Sequence, residues 1–209
     1  MTDSSRLAAA TGGRITLEEQ LAAAVAAGVD LIQIRESGSD RSLVELVTRC
    51  VALAGTECGV LVNDRVDVAL VSGAAGVHLP ARSVRASMIR PHVPPGFVLG
   101  RSVHGAAEAA RVEADGGVDY LTMGTVYPSL SKPDGGTCGV SGLASTTRTV
   151  ALPVLAIGGI VVDRTAEVFA AGAAGVAAIG LFQDIDWIGG WVDGMRRVVH
   201  AVRRQYVAF

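Results

Sequence analysis

Short apolar runs alternate with longer stretches of helical periodicity along most of this chain. Each run is rich in Val, Leu and Ile and ends in glycine or polar residues, which is typical of a buried strand followed by a loop. The pattern therefore predicts seven strands. They span residues 30–36, 59–63, 75–79, 97–102, 118–124, 153–158 and 175–180.

The stretches between these runs predict helices. Thr16 and Glu19 have the spacing of a capping box at the start of the first helix, and Gly28 is placed to end it in a left-handed conformation. The predicted helices cover residues 17–27, 40–54, 66–73, 83–90, 105–115, 142–149, 163–171 and 187–205, and the longest loop covers 125–141.

Regular alternation of strands and helices indicates a parallel sheet, and this number of units in about two hundred residues favours a closed barrel. We therefore predict an α/β fold, a (β/α)8 TIM barrel formed as one domain by residues 1–209. The pattern supplies only seven strands, because only Met1, Thr2 and Asp3 precede the first loop. We expect the first strand of the barrel to be truncated at the start of the chain, with the remainder lying upstream.

Composition narrows the class of protein. Half of the 209 residues are apolar (50%), the net charge is -2, and no run is long enough to span a membrane. We expect a cytoplasmic protein without nucleic-acid or membrane partners, because a nucleic-acid binder would carry a basic patch and the first residues lack a signal pattern. We also consider a homodimer. Cys50, Cys58 and Cys138 show neither disulfide nor metal-ligand spacing.

Polar residues follow the first two predicted strands, at the end of a barrel where active sites form. Gln33 and Arg35 share one face of the first strand, and Asn63 and Asp64 end the second. Gln33, Arg35 and Asn63 are candidate substrate contacts. Two structural alternatives stay open: an ion pair between Arg35 and its neighbour Glu36 inside the barrel, and a cap on the next helix formed by Asn63 or Asp64.

His104 is the histidine best placed for acid–base chemistry. It ends the fourth predicted strand, histidine is the usual residue type for acid–base catalysis, and Ser102 shares its face of the strand. The alternative is a histidine that caps or supports the following helix.

Glycine loops follow the last two strands, where β/α barrels often bind phosphate through backbone N–H groups. They contain Gly158 and Gly159 after one strand and Gly180 after the other. Plain turns are the alternative. The long loop adds Lys132, a point charge for an anionic substrate, and resembles a lid.

Six segments, QIRE, VNDRVDVAL, GVHL, SVH, GTVYPSLSK and LAIGG, occur in this order between residues 30 and 180. Together they resemble the thiamine-phosphate synthase and thiazole tautomerase superfamily. In that superfamily the synthase joins hydroxymethylpyrimidine pyrophosphate to a thiazole phosphate, with magnesium holding the pyrophosphate. The resemblance implies phosphate binding by Gly158, Gly159 and Gly180, and substrate binding by Gln33, Arg35, Asn63, Ser102 and Lys132.

Two departures from the synthase pattern favour the tautomerase branch. Ser37 replaces a lysine, and Arg82 lies in the region where synthases complete the magnesium site with an acidic residue, so its charge should repel the metal. We therefore expect a tautomerase-like isomerase of thiamin biosynthesis that needs no cofactor. The resemblance then makes His104 the proton-transfer residue, while Arg35, Arg82 and Lys132 bind the substrate carboxylate.

Two alternatives to the tautomerase are kept. The first is a thiamine-phosphate synthase that uses Mg²⁺, with Asp64 as its metal ligand. The second is a non-catalytic protein that binds thiazole or thiamine phosphates. All three share a small-molecule phosphate ligand.

Overall fold

Seven parallel strands form one sheet in the order of the sequence, β1 to β7. This computed structural model describes residues 1–129 and 136–206, with side chains described up to residue 200. All seven predicted strands are confirmed, although the last one ends three residues earlier than predicted. The strands are β1 Leu31–Ile34, β2 Gly59–Asn63, β3 Gly76–Leu79, β4 Val98–Val103, β5 Tyr120–Met123, β6 Val154–Ile157 and β7 Gly175–Ala177.

Helices connect the strands and cover the outside of the sheet. They are α1 Ser4–Thr11, α2 Leu17–Ala26, α3 Asp40–Ala54, α4 Val66–Ser72, α5 Ala86–Ile89, α6 Ala106–Asp115, α7 Gly139–Thr149, α8 Val162–Ala170 and α9 Ile188–Tyr206. The predicted capping box is confirmed: the Glu19 carboxylate accepts from the Thr16 backbone N–H, and the Thr16 hydroxyl accepts from that of Glu19. Helix α1 was not predicted; Asp3 caps it by accepting from the Arg6 N–H.

Within the part of the chain that the structure describes, no helix is both long enough and apolar enough to cross a membrane.

Alternation along the strands separates two faces of the sheet. Ile32 and Ile34 of β1 are buried in a core cluster that also contains Leu43 and Val47 of α3, so these residues face the helices. Gln33, between the two isoleucines, faces the inside of the curved sheet together with Leu61 and Tyr120. We call this inside the lumen.

The predicted closed barrel of eight strands is not seen: the described sheet has seven, and no ladder joins β7 to β1. The Thr2 N–H donates to the Gln33 carbonyl of β1 over 2.8 Å, and the Met1 amine lies 3.3 Å from the Ala178 carbonyl just after β7. Met1 and Thr2 are adjacent in the chain and contact β7 and β1, so the gap between these two strands is about wide enough for one further strand. We call this gap the seam. A cavity of about 680 Å³ opens there and extends into the lumen, where Gln33, Tyr120 and Thr122 also line it.

Candidate functional site

A continuous set of polar side chains lies in the lumen along β1 to β5. We call Gln33, Asn63, His78, Ser102 and Thr122 the polar arc. The register pairs Asn63 with His78 and Ser102 with Thr122, while hydrogen bonds join Gln33 to Asn63 and His78 to Ser102. Parallel strands bring their carboxyl ends to one edge, so residues up to 89 positions apart in sequence form one surface.

Gln33 and Asn63 are brought together as candidate substrate contacts. The Gln33 amide Nε2 donates to Asn63 Oδ1 over 2.9 Å, which fixes the orientation of both side chains. The alternative of an Arg35–Glu36 ion pair is wrong. The Glu36 carboxylate instead accepts from the Ser4 N–H over 3.2 Å, and Arg35 is exposed.

His78 belongs to this site although the sequence did not single it out as functional. Its Nδ1 lies 3.0 Å from the Tyr120 hydroxyl and its Nε2 lies 2.8 Å from Ser102 Oγ. Only 3% of His78 is exposed. Burial, with a smaller effect from the Arg101 charge, lowers the pKa of His78 to about 4, so the imidazole is neutral near pH 7.

Gly100 makes the contact between Tyr120 and His78 sterically possible. A Cβ atom at position 100 would lie 2.1 Å from the Tyr120 ring, well inside van der Waals contact. The ring therefore crosses β4 at the glycine and places its hydroxyl beside β3. Burial raises the pKa of the Tyr120 hydroxyl, so it remains a proton donor.

Asp64 lies at the end of β2 with a positive φ of 62°, a conformation that Asp adopts more readily than most residues. Its carboxylate accepts a hydrogen bond of 2.5 Å from Ser83 Oγ. The alternative in which Asn63 or Asp64 caps the next helix is wrong, because Arg65 occupies the cap position of α4 and makes no side-chain cap bond.

Arg101 holds the loop that carries Ser83. Its buried guanidinium donates to the carbonyls of Ala81, Ser83 and Val84 over 2.7 to 3.0 Å. The loop cannot move away without leaving a buried charge unsatisfied, which would cost several kcal/mol on the order of magnitude seen for buried ions. Ser83 is thus fixed next to Asp64.

Arg82 does not enter the lumen contacts predicted for it. The residue is exposed, and within the described ranges it makes no hydrogen bond or ion pair. In the same ranges no group of three or more His, Cys, Asp or Glu side chains is placed to hold a metal ion. Any cation bound at Asp64 would therefore need further ligands from water or from a substrate.

His104 lies at the start of α6, where Glu108 is its described partner. The Glu108 carboxylate accepts from the His104 backbone N–H over 2.8 Å and lies 3.4 Å from Nδ1. The imidazole is 55% exposed. These contacts are those of the structural alternative, a histidine that supports the start of the helix, and none of them joins His104 to the polar arc.

Gly158 and Gly159 lie where the loop after β6 meets the loop after β5. A Cβ atom on either glycine would come within 2.4 Å of Thr125 or Pro128, and the Tyr127 N–H donates to the Gly158 carbonyl over 3.0 Å. Packing between the two loops therefore requires both glycines, whatever their role in phosphate binding.

Gly180 is exposed and has open space around it. Lys132, predicted as a substrate contact, lies outside the described residues.

Comparisons with known proteins agree with this arrangement of motifs. The family described as thiamine monophosphate synthase matches residues 7–182. The chain belongs to this family. It is 42% identical over 162 residues to the thiamine-phosphate synthase of Methanoculleus marisnigri, covering 75% of each chain. It is 35% identical over 191 residues to that of Coprothermobacter proteolyticus, covering 90% of each.

A solved structure has the same fold. The thiamine phosphate pyrophosphorylase from Pyrococcus furiosus superimposes with a TM-score of 0.80 at 28% identity, covering 96% of this chain and 94% of that one.

The tautomerase expectation is wrong. Relatives at 35 to 42% identity carry the name thiamine-phosphate synthase, which favours the reading that the sequence analysis kept as an alternative. The error came from the weight given to Arg82, whose charge was expected to repel a metal. The structure places this side chain in solvent, where its charge is screened, while Ser83 is the residue that contacts Asp64.

Proposed function

We propose that this protein is a thiamine-phosphate synthase. It joins hydroxymethylpyrimidine pyrophosphate to a thiazole phosphate. The bond between the methylene carbon and the pyrophosphate oxygen breaks, a bond from that carbon to the thiazole nitrogen forms, and pyrophosphate leaves. The observation that carries the proposal is the continuous polar arc beside Asp64, in a chain 35 to 42% identical to proteins of that name.

The polar arc suits the pyrimidine pyrophosphate. Gln33 and Asn63 orient each other and offer amide groups to the heterocycle. Ser102 offers a hydroxyl to the pyrophosphate. Arg35 and Lys132 supply positive charge for the pyrophosphate. The glycine loops then bind the phosphate of the thiazole through the backbone N–H groups of Gly158, Gly159 and Gly180.

Magnesium fits Asp64 only if it is shared with the substrate. Mg²⁺ is commonly bound by one or two carboxylates together with substrate phosphates, and Asp64 supplies one carboxylate with the Ser83 oxygen beside it. Bound there, the ion would neutralise charge on the leaving pyrophosphate. Asp64 would hold the ion, and Ser83 and Arg101 would keep the Asp64 carboxylate in place. Ser37 contributes no charge at a position where a lysine would.

Product formation from the two proposed substrates tests this function. With Mg²⁺ we expect equal amounts of thiamine phosphate and pyrophosphate, and with EDTA we expect neither. Asp64→Asn removes the charged ligand and should lower kcat/KM at least about a hundredfold, and Ser83→Ala should lower it about tenfold by loosening that ligand. Asp193→Asn on α9 is the control and should match wild type.

Failure to form the product would refute the synthase activity. Binding of both phosphates without turnover would instead identify a non-catalytic binding protein. Turnover that persists undiminished in Asp64→Asn would remove the magnesium role assigned to this residue.

A further inference from the structure

Tyr120, His78 and Ser102 form a chain of hydrogen bonds that ends at the substrate side of the lumen. We propose that Tyr120 fixes His78 as the tautomer with its proton on Nε2, and that His78 thereby holds Ser102 as a hydrogen-bond donor toward an anionic oxygen. This inference rests on the proposed function for its substrate class, a pyrophosphate. It makes His78 a positioning residue that acts through Ser102.

The geometry leaves the imidazole two partners, one at each nitrogen. Tyr120 lies 3.0 Å from Nδ1, and Ser102 lies 2.8 Å from Nε2. A neutral imidazole has one N–H donor and one acceptor nitrogen, so one hydroxyl must donate to the ring and the other must accept from it. His78 is 3% exposed and its described side-chain partners are two hydroxyls and no carboxylate, so its surroundings favour the neutral ring.

Tyr120 decides which hydroxyl donates. A buried tyrosine O–H needs an acceptor, and within the described residues the only acceptor that its hydroxyl contacts is Nδ1 of His78. Nδ1 therefore accepts, the ring proton lies on Nε2, and Nε2–H donates to Ser102 Oγ. The proton of Ser102 is then directed away from His78.

The tautomer of His78 decides whether Ser102 presents its proton or its lone pairs to the substrate. A serine that already accepts from His78 turns its own O–H outward, where it can donate to a pyrophosphate oxygen. With the opposite tautomer, Ser102 would donate to His78 and present lone pairs to the anion, which repel it. The buried pair thus selects for an anionic group without placing a charge in the lumen.

Two measurements test this inference. Nitrogen-15 NMR of the unliganded protein reports the tautomer directly, and His78→Gln identifies the signal among the four histidines. We expect an N–H at Nε2 and a bare Nδ1. The affinity for inorganic pyrophosphate with Mg²⁺ is then measured by calorimetry, which does not depend on turnover and so separates this inference from the proposed activity.

Substitutions at His78 separate the two hydrogen bonds. The amide of His78→Gln reaches about as far as Nε2 and can still donate to Ser102, so we expect pyrophosphate affinity within about twofold of wild type. His78→Asn reaches only the Nδ1 position, and Tyr120→Phe removes the donor that fixes the ring. Both should weaken pyrophosphate binding about fivefold, the effect of one hydrogen bond. His92→Gln, at an exposed site, should bind like wild type.

Three results would overturn the inference. They are a proton on Nδ1 in the wild-type protein, equal affinities in His78→Gln and His78→Asn, and no measurable binding of pyrophosphate. Urea unfolding of each variant shows whether a loss of affinity reflects a loss of the folded state.

Discussion

The lumen has two different sides. One is formed by strands β3 to β5, and the other is the seam, where β7 and β1 face each other. On the first side, Gly100 admits the Tyr120 ring, and hydrogen bonds connect Tyr120, His78 and Ser102 across three strands. At the seam no ladder joins the edges of the described sheet; Met1 and Thr2 bridge them, and a cavity of about 680 Å³ extends from there into the lumen.

The difference shows what fixes polar groups on the inner face of the curved sheet. His78 of β3 has hydrogen-bond partners on β4 and β5, because the register brings Ser102 and Tyr120 within reach of its ring. No ladder bridges the seam, and its cavity is lined by apolar side chains such as Phe169 and Met195 as well as by lumen residues such as Gln33 and Thr122. We therefore expect close packing and chemistry on the first side, and tolerance of change at the seam.

We expect the free energy of unfolding to change most when one glycine on each side is replaced by alanine. Gly100→Ala would place Cβ 2.1 Å from a buried ring, which should cost roughly 3 kcal/mol or more by overpacking. At Gly175→Ala the nearest atom is 2.9 Å away at the flexible end of Leu155, so the cost should stay under about 1 kcal/mol. Urea unfolding measures both, and equal losses would contradict the comparison.

A smaller effect is expected from pH. The pKa of His78 is about 4 in the folded protein against its ordinary value of 6.5, so the unfolded chain binds the proton first as pH falls. His78 therefore does not lower the free energy of unfolding above pH 6.5, and it lowers it progressively as the pH falls toward 4. Between pH 7 and pH 5 it should lower the free energy of unfolding by about 2 kcal/mol. His78→Gln lacks this loss; an identical pH profile in both proteins would show that His78 is not held neutral.

Much of the fold could be predicted from the sequence because apolar runs and capping residues act locally. The seven strands and the Thr16–Glu19 box are examples. Helix α1 was missed because its alanines resemble a linker, while its cap at Asp3 is a single side chain. Closure of the sheet could not be decided locally, since it depends on how the first and last strands meet.

The candidate site was only partly predictable. Gln33, Asn63 and Ser102 were found because polar residues at strand ends are unusual in apolar runs. His78 was read as part of a buried strand, since its partners Tyr120 and Ser102 are 42 and 24 residues away and only the register shows that they meet. For His104 the residue type suggested catalysis, but the spacing to Glu108 was the more informative signal.

We propose that synthase chemistry takes place at the polar arc and not at the seam. Steady-state kinetics of thiamine phosphate formation by Asn63→Ala and Met195→Ala distinguishes the two locations. We predict that Asn63→Ala, which removes an amide oriented by Gln33, lowers kcat/KM at least about tenfold, the effect of a lost polar substrate contact. Met195→Ala, which enlarges the seam, should stay within about twofold of wild type. A large loss in Met195→Ala with Asn63→Ala unaffected would contradict the account.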